Sequence, residues 1–321
     1  MKLLLSLLSP AGRRARLSIL IFHRVLAQPD PLFPGEIDSP RFEAICRWLA
    51  PRFQVLPLDQ ALMRLQQGTL PARALAITFD DGYADNHDIA MPLLLQHGLC
   101  ATFFIATGFL DGGRMWNDTV IEAVRRTPHQ QLDVQAANLA GLAFLPTADV
   151  AQRSHAIAAL IKATKYLPVA QRQVSVAAIA QAAGCALPDD LMMRSVQVQA
   201  LHGAGMQIGA HTISHPILAT LDRDSALQEM QGGKQALEAL LQKPVTVFAY
   251  PNGRPGEDYK AQTVALARES GFQAAVSTAW GVSRQGDDIF QIPRFTPWDR
   301  SFPRWGQRLT KNLLQTRFAT V

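Results

Sequence analysis

Residues 75–82 read LAITFDDG, and the interpretation of the whole chain starts from this stretch. The apolar run at 75–79 is typical of a strand that is buried on both faces, as in a parallel sheet. It ends at two adjacent carboxylates, Asp80 and Asp81, which would repel each other if both were buried without a cation nearby. Gly82 follows and allows the tight turn that would reorient the two side chains. Because Asp-Asp-Gly also fits a plain surface turn, the neighbouring segments must decide between the two.

Strands alternate with helices on both sides of that stretch. We expect strands at about 18–22, 75–79, 101–106, 206–209, 245–249 and 274–277, and helices at about 39–50, 58–67, 89–96, 196–203, 225–241 and 263–270. Ser39 is the expected N-cap of the first of these helices. Between about 112 and 195 the sequence has helical patterns without a core strand, which indicates a helical insertion. The fold class that follows is α/β, an irregular parallel barrel of seven or eight strand–helix units with its chemistry on the loops after the strands.

Composition excludes several classes of protein. Of the 321 residues, 48% are hydrophobic and 18% are charged, which excludes a disordered chain. Three cysteines without Cys-x-x-Cys spacing indicate neither a disulfide framework nor a cysteine-ligated zinc. No apolar run reaches the roughly 18 residues of a membrane span, and arginines, instead of a cleavage site, follow the leucine-rich run at 3–8. We therefore expect a cytoplasmic protein, either free or peripheral at the inner membrane, rather than a secreted or periplasmic one.

The net charge of +5 is concentrated at the two ends of the chain. Residues 1–16 carry four basic side chains, residues 300–321 carry five, and neither segment has an acidic one, so residues 17–299 sum to −4. The chain thus divides into a basic N-terminal segment at 1–16, a barrel at 17–300 and a basic tail at 301–321. The excess of positive charge is too small to indicate that the protein binds nucleic acid. The tail mixes basic and bulky apolar residues, which fits either a helix packed on the barrel or an interfacial helix in peripheral contact with an anionic membrane.

Two histidines follow the predicted strand at 206–209. His211 and His215 are four residues apart, so a short helical turn would place both imidazoles on one side, although Pro216 limits such a turn. Two histidines with this spacing and no further ligand fit a capping or surface pair at least as well as a metal site. Together with one of the two adjacent aspartates, the histidines supply three ligands and leave one position open, which is typical of a catalytic divalent metal. The other aspartate is then free to act as a base.

The same segments carry a resemblance to a known family. TFDDGY at 78–83, together with HTISH at 211–215, resembles the first two motifs of the polysaccharide deacetylase family, the NodB-homology carbohydrate esterases. FAYPNG at 248–253 resembles the third motif. The resemblance covers about 17–300 apart from the insertion. It implies a distorted (β/α) barrel of the NodB-homology type and the hydrolysis of acetyl groups on a glycan.

The resemblance also implies roles for individual residues. In that family the second Asp of the first motif and both His of the second bind a divalent metal, so Asp81, His211 and His215 are the implied ligands of Zn²⁺, with Co²⁺ or Ni²⁺ as alternatives. The first Asp of the motif, here Asp80, would be the base that takes a proton from the attacking water. The backbone N–H of the third-motif tyrosine, here Tyr250, would help to hold the oxyanion.

Two departures from the family pattern affect the remaining catalytic roles. The third motif lacks the arginine that orients the base, and Arg294 is our candidate to replace it, a structural salt bridge being the alternative. The usual late histidine that acts as general acid is absent, since no histidine follows His215. FHRV at 22–25 resembles the N-terminal segment of circularly permuted members, the biofilm polysaccharide deacetylases, in which the acid comes from the first strand. His23 is therefore our candidate general acid, with a structural histidine at a strand end as the alternative.

These residues predict a metal-dependent deacetylase. Its substrate would be the N-acetyl group of an amino sugar in a cell-surface glycan or a lipid-linked precursor, with acetate as a product. Hydrolysis of O-acetyl esters by the same site is one alternative. A non-catalytic glycan-binding protein with a relict barrel is another, but the joint presence of Asp80, Asp81, His211 and His215 argues against it.

Overall fold

The computed structural model describes residues 2–296, 299, 301–315 and 317–321. The chain forms two compact units. The barrel unit comprises Met1–Ala27, Ile37–Asp111 and Met193–Val321, and the insertion unit comprises Gln28–Glu36 and Gly112–Met192.

Most of the strands pair side by side to form an almost complete ring. They are β1 (Ser18–Phe22), β2 (Gln54–Val55), β3 (Ala74–Phe79), β4 (Thr102–Ile105), β5 (Gln131–Asp133), β6 (Phe144–Pro146), β7 (Gln207–Ala210), β8 (Val247–Ala249), β9 (Ala274–Trp280) and β10 (Ile292–Arg294). In the barrel unit the order is β1-β3-β4-β7-β8-β9-β10, with β2 beside β3 and every pairing parallel. Phe295 then pairs with β1, donating to the Ile19 carbonyl oxygen and accepting from the Ile21 N–H. The predicted α/β class and distorted barrel are confirmed as a nearly closed ring of seven parallel strands.

The helices match the predicted helical pattern to within a few residues. Along the described chain they are α1 (Lys2–Leu8), α2 (Ser39–Leu49), α3 (Leu58–Gln66), α4 (Met91–Gln96), α5 (Trp116–Arg126), α6 (Val150–Thr164), α7 (Val169–Ala183), α8 (Ser195–Gly203), α9 (Arg223–Leu241), α10 (Ala261–Glu269) and α11 (Phe302–Leu314). The N-cap prediction for α2 was wrong by one residue, because the carboxylate of Asp38, not the hydroxyl of Ser39, accepts the Arg41 N–H. Strands β2 and β10 were missed because two or three residues are too few to show a period.

The two faces of β3 belong to two separate parts of the core. Phe79 faces the surrounding helices, and its ring lies 5.6 Å from that of Phe42 on α2. Ala76 belongs to a second apolar cluster inside the barrel. Because side chains alternate along a strand, Asp80 continues the inward-facing row and Asp81 does not. The adjacent aspartates therefore leave the strand in different directions.

The insertion unit has a core of its own. Helices α5, α6 and α7 pack around buried apolar side chains that include Val120, Leu160 and Ile179. The unit also contains a two-stranded antiparallel sheet of β5 and β6, which the helical pattern did not reveal because each strand has three residues. Segment 28–36 joins this unit through Asp30, whose two carboxylate oxygens accept from Arg125 on α5 over 3.1 and 2.6 Å.

Candidate active site

The carboxyl ends of the parallel strands meet at one end of the barrel, and the predicted site residues gather there. Each stands at, or directly after, the end of a strand or in the loop that follows it: His23, Asp80, Asp81, His211, His215, Tyr250 and Arg294. Their sequence positions are far apart, so the parallel topology is what brings them together.

Asp80 forms a buried, bidentate ion pair with Arg294. Nη1 of Arg294 donates to Oδ1 of Asp80 and Nη2 donates to Oδ2, both over 2.7 Å. The guanidinium is fixed by two more bonds, from Nε to the Ser277 carbonyl oxygen (2.9 Å) and from Nη1 to Thr78 Oγ1 (3.2 Å). The side chains of Arg294 and Asp80 are 0% and 3% exposed. A planar guanidinium held in this way fixes the orientation of the carboxylate as well as its charge.

The charge state of Asp80 follows from two opposing effects. Burial favours the protonated form, because a desolvated carboxylate is costly. The adjacent Arg294 guanidinium and the nearby His211 ring outweigh burial and hold the pKa of Asp80 below its usual range. At neutral pH Asp80 is therefore ionised, which is the form that can accept a proton.

Asp81, His211 and His215 converge on one point. Oδ1 of Asp81 lies 3.4 Å from Nε2 of His211 and 3.4 Å from Nε2 of His215. The three candidate ligand atoms lie within 4.8 Å of one another. A tetrahedral ion with bonds of about 2.0–2.1 Å holds its ligand atoms roughly 3.3–3.4 Å apart, so this spacing fits a divalent cation.

The surroundings of the three residues also suit a cation. Nδ1 of His211 donates to the Ala249 carbonyl oxygen over 2.7 Å, which leaves Nε2 with a free lone pair. Against the effect of burial, the nearby carboxylates of Asp81 and Asp80 raise the pKa of His211, so the site attracts positive charge. Burial lowers the pKa of His215 to about 4, and its ring is neutral at pH 7, as a ligand must be. One carboxylate and two imidazoles are a donor set that zinc, cobalt and nickel accept.

The backbone that carries these ligands is strained. Segment 211–215 is an irregular loop and not the helical turn that the spacing suggested. Thr212 and His215 have φ values of +67° and +53°, and Asp81 has +78°. A non-glycine residue in this left-handed region costs of the order of 1–3 kcal/mol, so the neighbouring structure must hold the loop.

Helix α9 provides that support. Oε2 of Glu229 accepts the N–H groups of Ile213 (2.9 Å) and Ser214 (2.8 Å), and Oε1 accepts the Ser214 hydroxyl (2.6 Å). A Cβ on Gly233 would lie 2.8 Å from the backbone of Thr212, so only glycine permits this approach. Sequence reasoning missed both residues. The available signal was a Gly-Gly pair in the middle of a long helix, where each glycine costs about 1 kcal/mol relative to alanine and indicates close packing.

Comparison with known proteins decides the family. The sequence profile of the polysaccharide deacetylase family matches residues 67–275, more than half of the chain. The chain belongs to the polysaccharide deacetylase family. It is accordingly a hydrolase that acts on acetylated carbohydrate, and the predicted resemblance is confirmed.

Relatives of this deacetylase are distant in sequence and similar in fold. The Bacillus subtilis protein YxkH is 22% identical over 282 residues, which is 87% of this chain and 71% of the relative. The deacetylase PplD of Streptococcus pyogenes has a TM-score of 0.63 at 17% identity, covering 93% of this chain and 98% of PplD. IcaB from Ammonifex degensii has a TM-score of 0.59 at 18% identity, covering 96% and 99% of the two chains. At these identities the structures show that the fold is shared.

His23 stands at the active-site end of this deacetylase. Its side chain is exposed, and it lies close enough to Asp80, Asp81 and His215 to influence their pKa values. Among the described residues, none forms a hydrogen bond with the His23 ring. The imidazole is therefore free to meet a substrate at the same place as the aspartates.

The backbone around His23 is held by the segment that follows the two aspartates. Nδ2 of Asn86 donates to the His23 carbonyl oxygen over 2.8 Å. The carboxylate of Asp85 accepts from Nε of Arg24 (2.8 Å) and from the Val25 N–H (3.2 Å). The loop after β1 is thereby tied to the loop after β3, so the positions of His23 and the aspartates are coupled.

The N–H of Tyr250, which was predicted to help hold the oxyanion, already has a hydrogen-bond partner. Its N–H donates to the Val276 carbonyl oxygen over 3.2 Å, as a continuation of the pairing of β8 with β9. Its hydroxyl donates to the Phe290 carbonyl oxygen, and its ring is buried against that of Tyr259. An amide that already has an acceptor cannot serve an oxyanion. Two residues further on, the N–H of Asn252 has no acceptor within the described part of the chain, and this amide is the better candidate.

Within the described residues, no helix combines the length and the apolar character that crossing a bilayer requires.

Proposed function

We propose that this deacetylase removes N-acetyl groups from amino sugars of a cell-surface glycan or its precursor, with Zn²⁺ held by Asp81, His211 and His215. The observation that carries the proposal is an ionised, oriented carboxylate, Asp80, directly beside a three-ligand site for a divalent cation. A base and a cation at one place are what the hydrolysis of an unactivated acetamide needs. Two structural neighbours, described as a de-N-acetylase and as a deacetylase in complex with acetate, support the choice of group.

Asp80 acts as the base in this proposal. A divalent cation bound at the three ligands would polarise the acetyl carbonyl and acidify the attacking water. Arg294 uses one lone pair on each oxygen of Asp80, so each oxygen keeps another that can accept a proton. Because the guanidinium is itself fixed at Ser277 and Thr78, the carboxylate is oriented before the substrate arrives.

His23 acts as the acid. The oxygen of water bonds to the acetyl carbon while one of its protons passes to Asp80, and the C–N bond then breaks. The departing nitrogen must gain a proton, because an amide anion is a very poor leaving group, and His23 is the exposed donor at this end of the barrel. The products are a free amine and acetic acid, which releases the second proton of the water to solvent and becomes acetate. Asp80 afterwards loses its proton to solvent and His23 regains one, which restores the starting state.

The negative charge that develops on the acetyl oxygen needs a fixed donor besides the cation. The loop after β8 offers the N–H of Asn252, whose φ of +58° sets it apart from the strand. The close fit of Gly253 against the Thr278 backbone, where a Cβ would lie 3.0 Å away, holds this loop in place. We assign the role first expected for Tyr250 to this amide.

Acetate release from a panel of glycans tests the proposal. The panel comprises chitin oligomers, peptidoglycan, an N-acetylated exopolysaccharide, a lipid-linked amino sugar and an O-acetylated glycan as the ester arm. We expect one or more N-acetylated members to yield acetate and free amine in equal amounts. A chelator should abolish the release, and Zn²⁺, Co²⁺ or Ni²⁺ should restore it. Release from the ester arm alone would replace the proposal with O-deacetylation, and metal-loaded protein without any release would contradict it.

His23→Gln should lower the turnover of an acetamide substrate by about 10²-fold or more, because general acid catalysis contributes that much. The metal content should stay at the wild-type level, since His23 is not among the three ligands. Hydrolysis of an activated aryl acetate should fall much less, because its leaving group departs without a proton. His155→Gln, an exposed histidine on α6, is the matched control. Equal losses for both substrates, or loss of the metal, would show that His23 has another role.

A further inference from the structure

Helix α1 of the barrel unit exposes large apolar side chains. Leu3 and Leu7 are 83% and 78% exposed, and Leu4 is also exposed. Leu5, on the opposite side of the helix, is buried in the core of the barrel unit. Folded proteins rarely leave several neighbouring leucines in water, and a patch of this kind marks a binding surface.

Exposed basic residues are close in sequence to this leucine patch. Lys2, Arg13 and Arg14 are exposed, and no acidic residue occurs between positions 1 and 16. Helix α11 contacts α1 and contributes exposed Lys311 and Leu314 close to the point where the Arg16 guanidinium donates to the Leu313 carbonyl oxygen. Segment 1–16 therefore offers exposed leucines and exposed basic side chains without any acidic residue.

The C-terminal helix packs its apolar face on the barrel. Trp305, Leu309 and Leu313 of α11 are buried in the barrel core, so the tail is a helix packed on the barrel, as one of the two sequence-based alternatives expected. Arg300, which contributes to the basic count of this end, lies outside the described residues. The leucines of α1, and not the tail, provide the apolar part of the surface.

We propose that α1 and its basic neighbours dock the enzyme on an anionic lipid bilayer. The leucines would enter the interface while Lys2, Arg13 and Arg14 meet anionic headgroups, and the two signals together give stable binding where either alone would be weak. The charge of this segment favours an anionic bilayer over a second copy of the chain as the partner of the patch. A second copy of this chain would bring the same basic segment against itself, which repulsion disfavours.

This docking directs the active site away from the lipid. The Arg73 N–H donates to the Ser9 carbonyl oxygen directly before β3 begins, so the patch lies at the amino ends of the strands. His23 and Asp80 follow their carboxyl ends, and the five residues of β1 alone rise roughly 16 Å. The substrate class that fits is a glycan chain extending into water, rather than a sugar held at the lipid surface beneath the enzyme. This step rests on the proposed function, whereas the docking itself does not.

Flotation of the full chain with vesicles tests the docking. We expect binding to vesicles of phosphatidylglycerol and phosphatidylcholine, little binding to phosphatidylcholine alone, and release as salt rises from about 0.1 M to about 1 M. Leu3→Ser/Leu7→Ser should reduce the bound fraction at least about tenfold. Val196→Ser, a 65% exposed valine on α8, should bind like wild type. Circular dichroism checks that both variants are folded.

Each contrary outcome overturns part of the proposal. Wild-type protein that fails to float with anionic vesicles, or a double-serine variant that still floats, would contradict the docking surface. A wild-type dimer that the double-serine variant converts to a monomer, without vesicle binding, would identify the patch as a subunit interface instead. Vesicle-bound enzyme should release acetate from a water-soluble acetylated oligosaccharide at the rate of free enzyme, and strong inhibition by docking would contradict the orientation. If neither form releases acetate, the proposed function fails while flotation still decides the docking.

Discussion

Replacing Asp80 by asparagine is expected to lower the turnover of acetate release by about 10³-fold while the metal stays bound. The amide has the shape of the carboxylate but cannot take a proton from the attacking water. Asp81, His211 and His215 are unchanged in the variant, so metal analysis should give the wild-type content. Measuring kcat together with metal content separates loss of the base from loss of the cation.

Asp80→Asn also leaves the Arg294 guanidinium buried without a counter-charge, which destabilises the protein. The double variant Asp80→Asn/Arg294→Met removes the charge from both partners and should unfold at a higher temperature than the single variant. It should remain inactive. Asp224→Asn, an exposed aspartate on α9, is the matched control and should behave like wild type. A folded, metal-loaded Asp80→Asn protein with wild-type turnover would show that another group is the base.

The parts of this molecule that were predictable from sequence have short-range signals. The strand that ends in Asp80 and Asp81 is visible within eight residues, and so is the pair His211 and His215 after its own strand. Parallel topology then requires that strand ends meet, so the cluster at the barrel end follows from local patterns. The loop conformation did not follow, because the left-handed backbone at Thr212 and His215 depends on contacts with Glu229 and Gly233 on a distant helix.

Hydrogen-bond register explains why the N–H of Tyr250 is not available to hold an oxyanion. Its residue type matched the third motif, but the last pairing of β8 with β9 takes its N–H for the Val276 carbonyl oxygen. A one-residue difference in where pairing stops decides whether an amide is available, and sequence periodicity does not reveal it. The N–H of Asn252, beyond the last pairing, has no acceptor within the described residues.

The role of Arg294 could be predicted from the sequence only in part. The ion pair joins residues 214 positions apart and depends on the closure of the barrel by a strand of three residues. The sequence could name Arg294 as a candidate because the third motif lacks an arginine, but it left a structural salt bridge open. The bidentate geometry on Asp80 makes the two roles compatible, so an experiment must separate them.

Arg294→Lys is expected to shift the acid limb of the kcat/KM profile to higher pH and to lower activity at neutral pH. Burial raises the pKa of Asp80 and the guanidinium lowers it. A lysine ammonium cannot donate to both carboxylate oxygens as the bidentate guanidinium does, so the pKa of Asp80 should rise in the variant. A purely structural salt bridge predicts a change in stability with the acid limb unmoved. Measuring kcat/KM against pH for wild type and Arg294→Lys distinguishes the two.

Stability against pH gives an independent check through Arg294→Met. In wild type the pKa of Asp80 is lower in the folded than in the unfolded chain, so the pair stabilises the fold above about pH 4 and this contribution is lost as pH falls through the lowered pKa. In Arg294→Met the buried carboxylate has lost its partner and its folded-state pKa should lie above the unfolded value. That variant should be most stable in acid and lose up to about 4 kcal/mol as the pH rises to neutral, because an uncompensated buried charge then forms. Thermal unfolding should therefore show a difference in stability between wild type and Arg294→Met that widens as pH rises from about 4 to 7, and a difference that stays constant with pH would show that Arg294 does not govern the charge of Asp80.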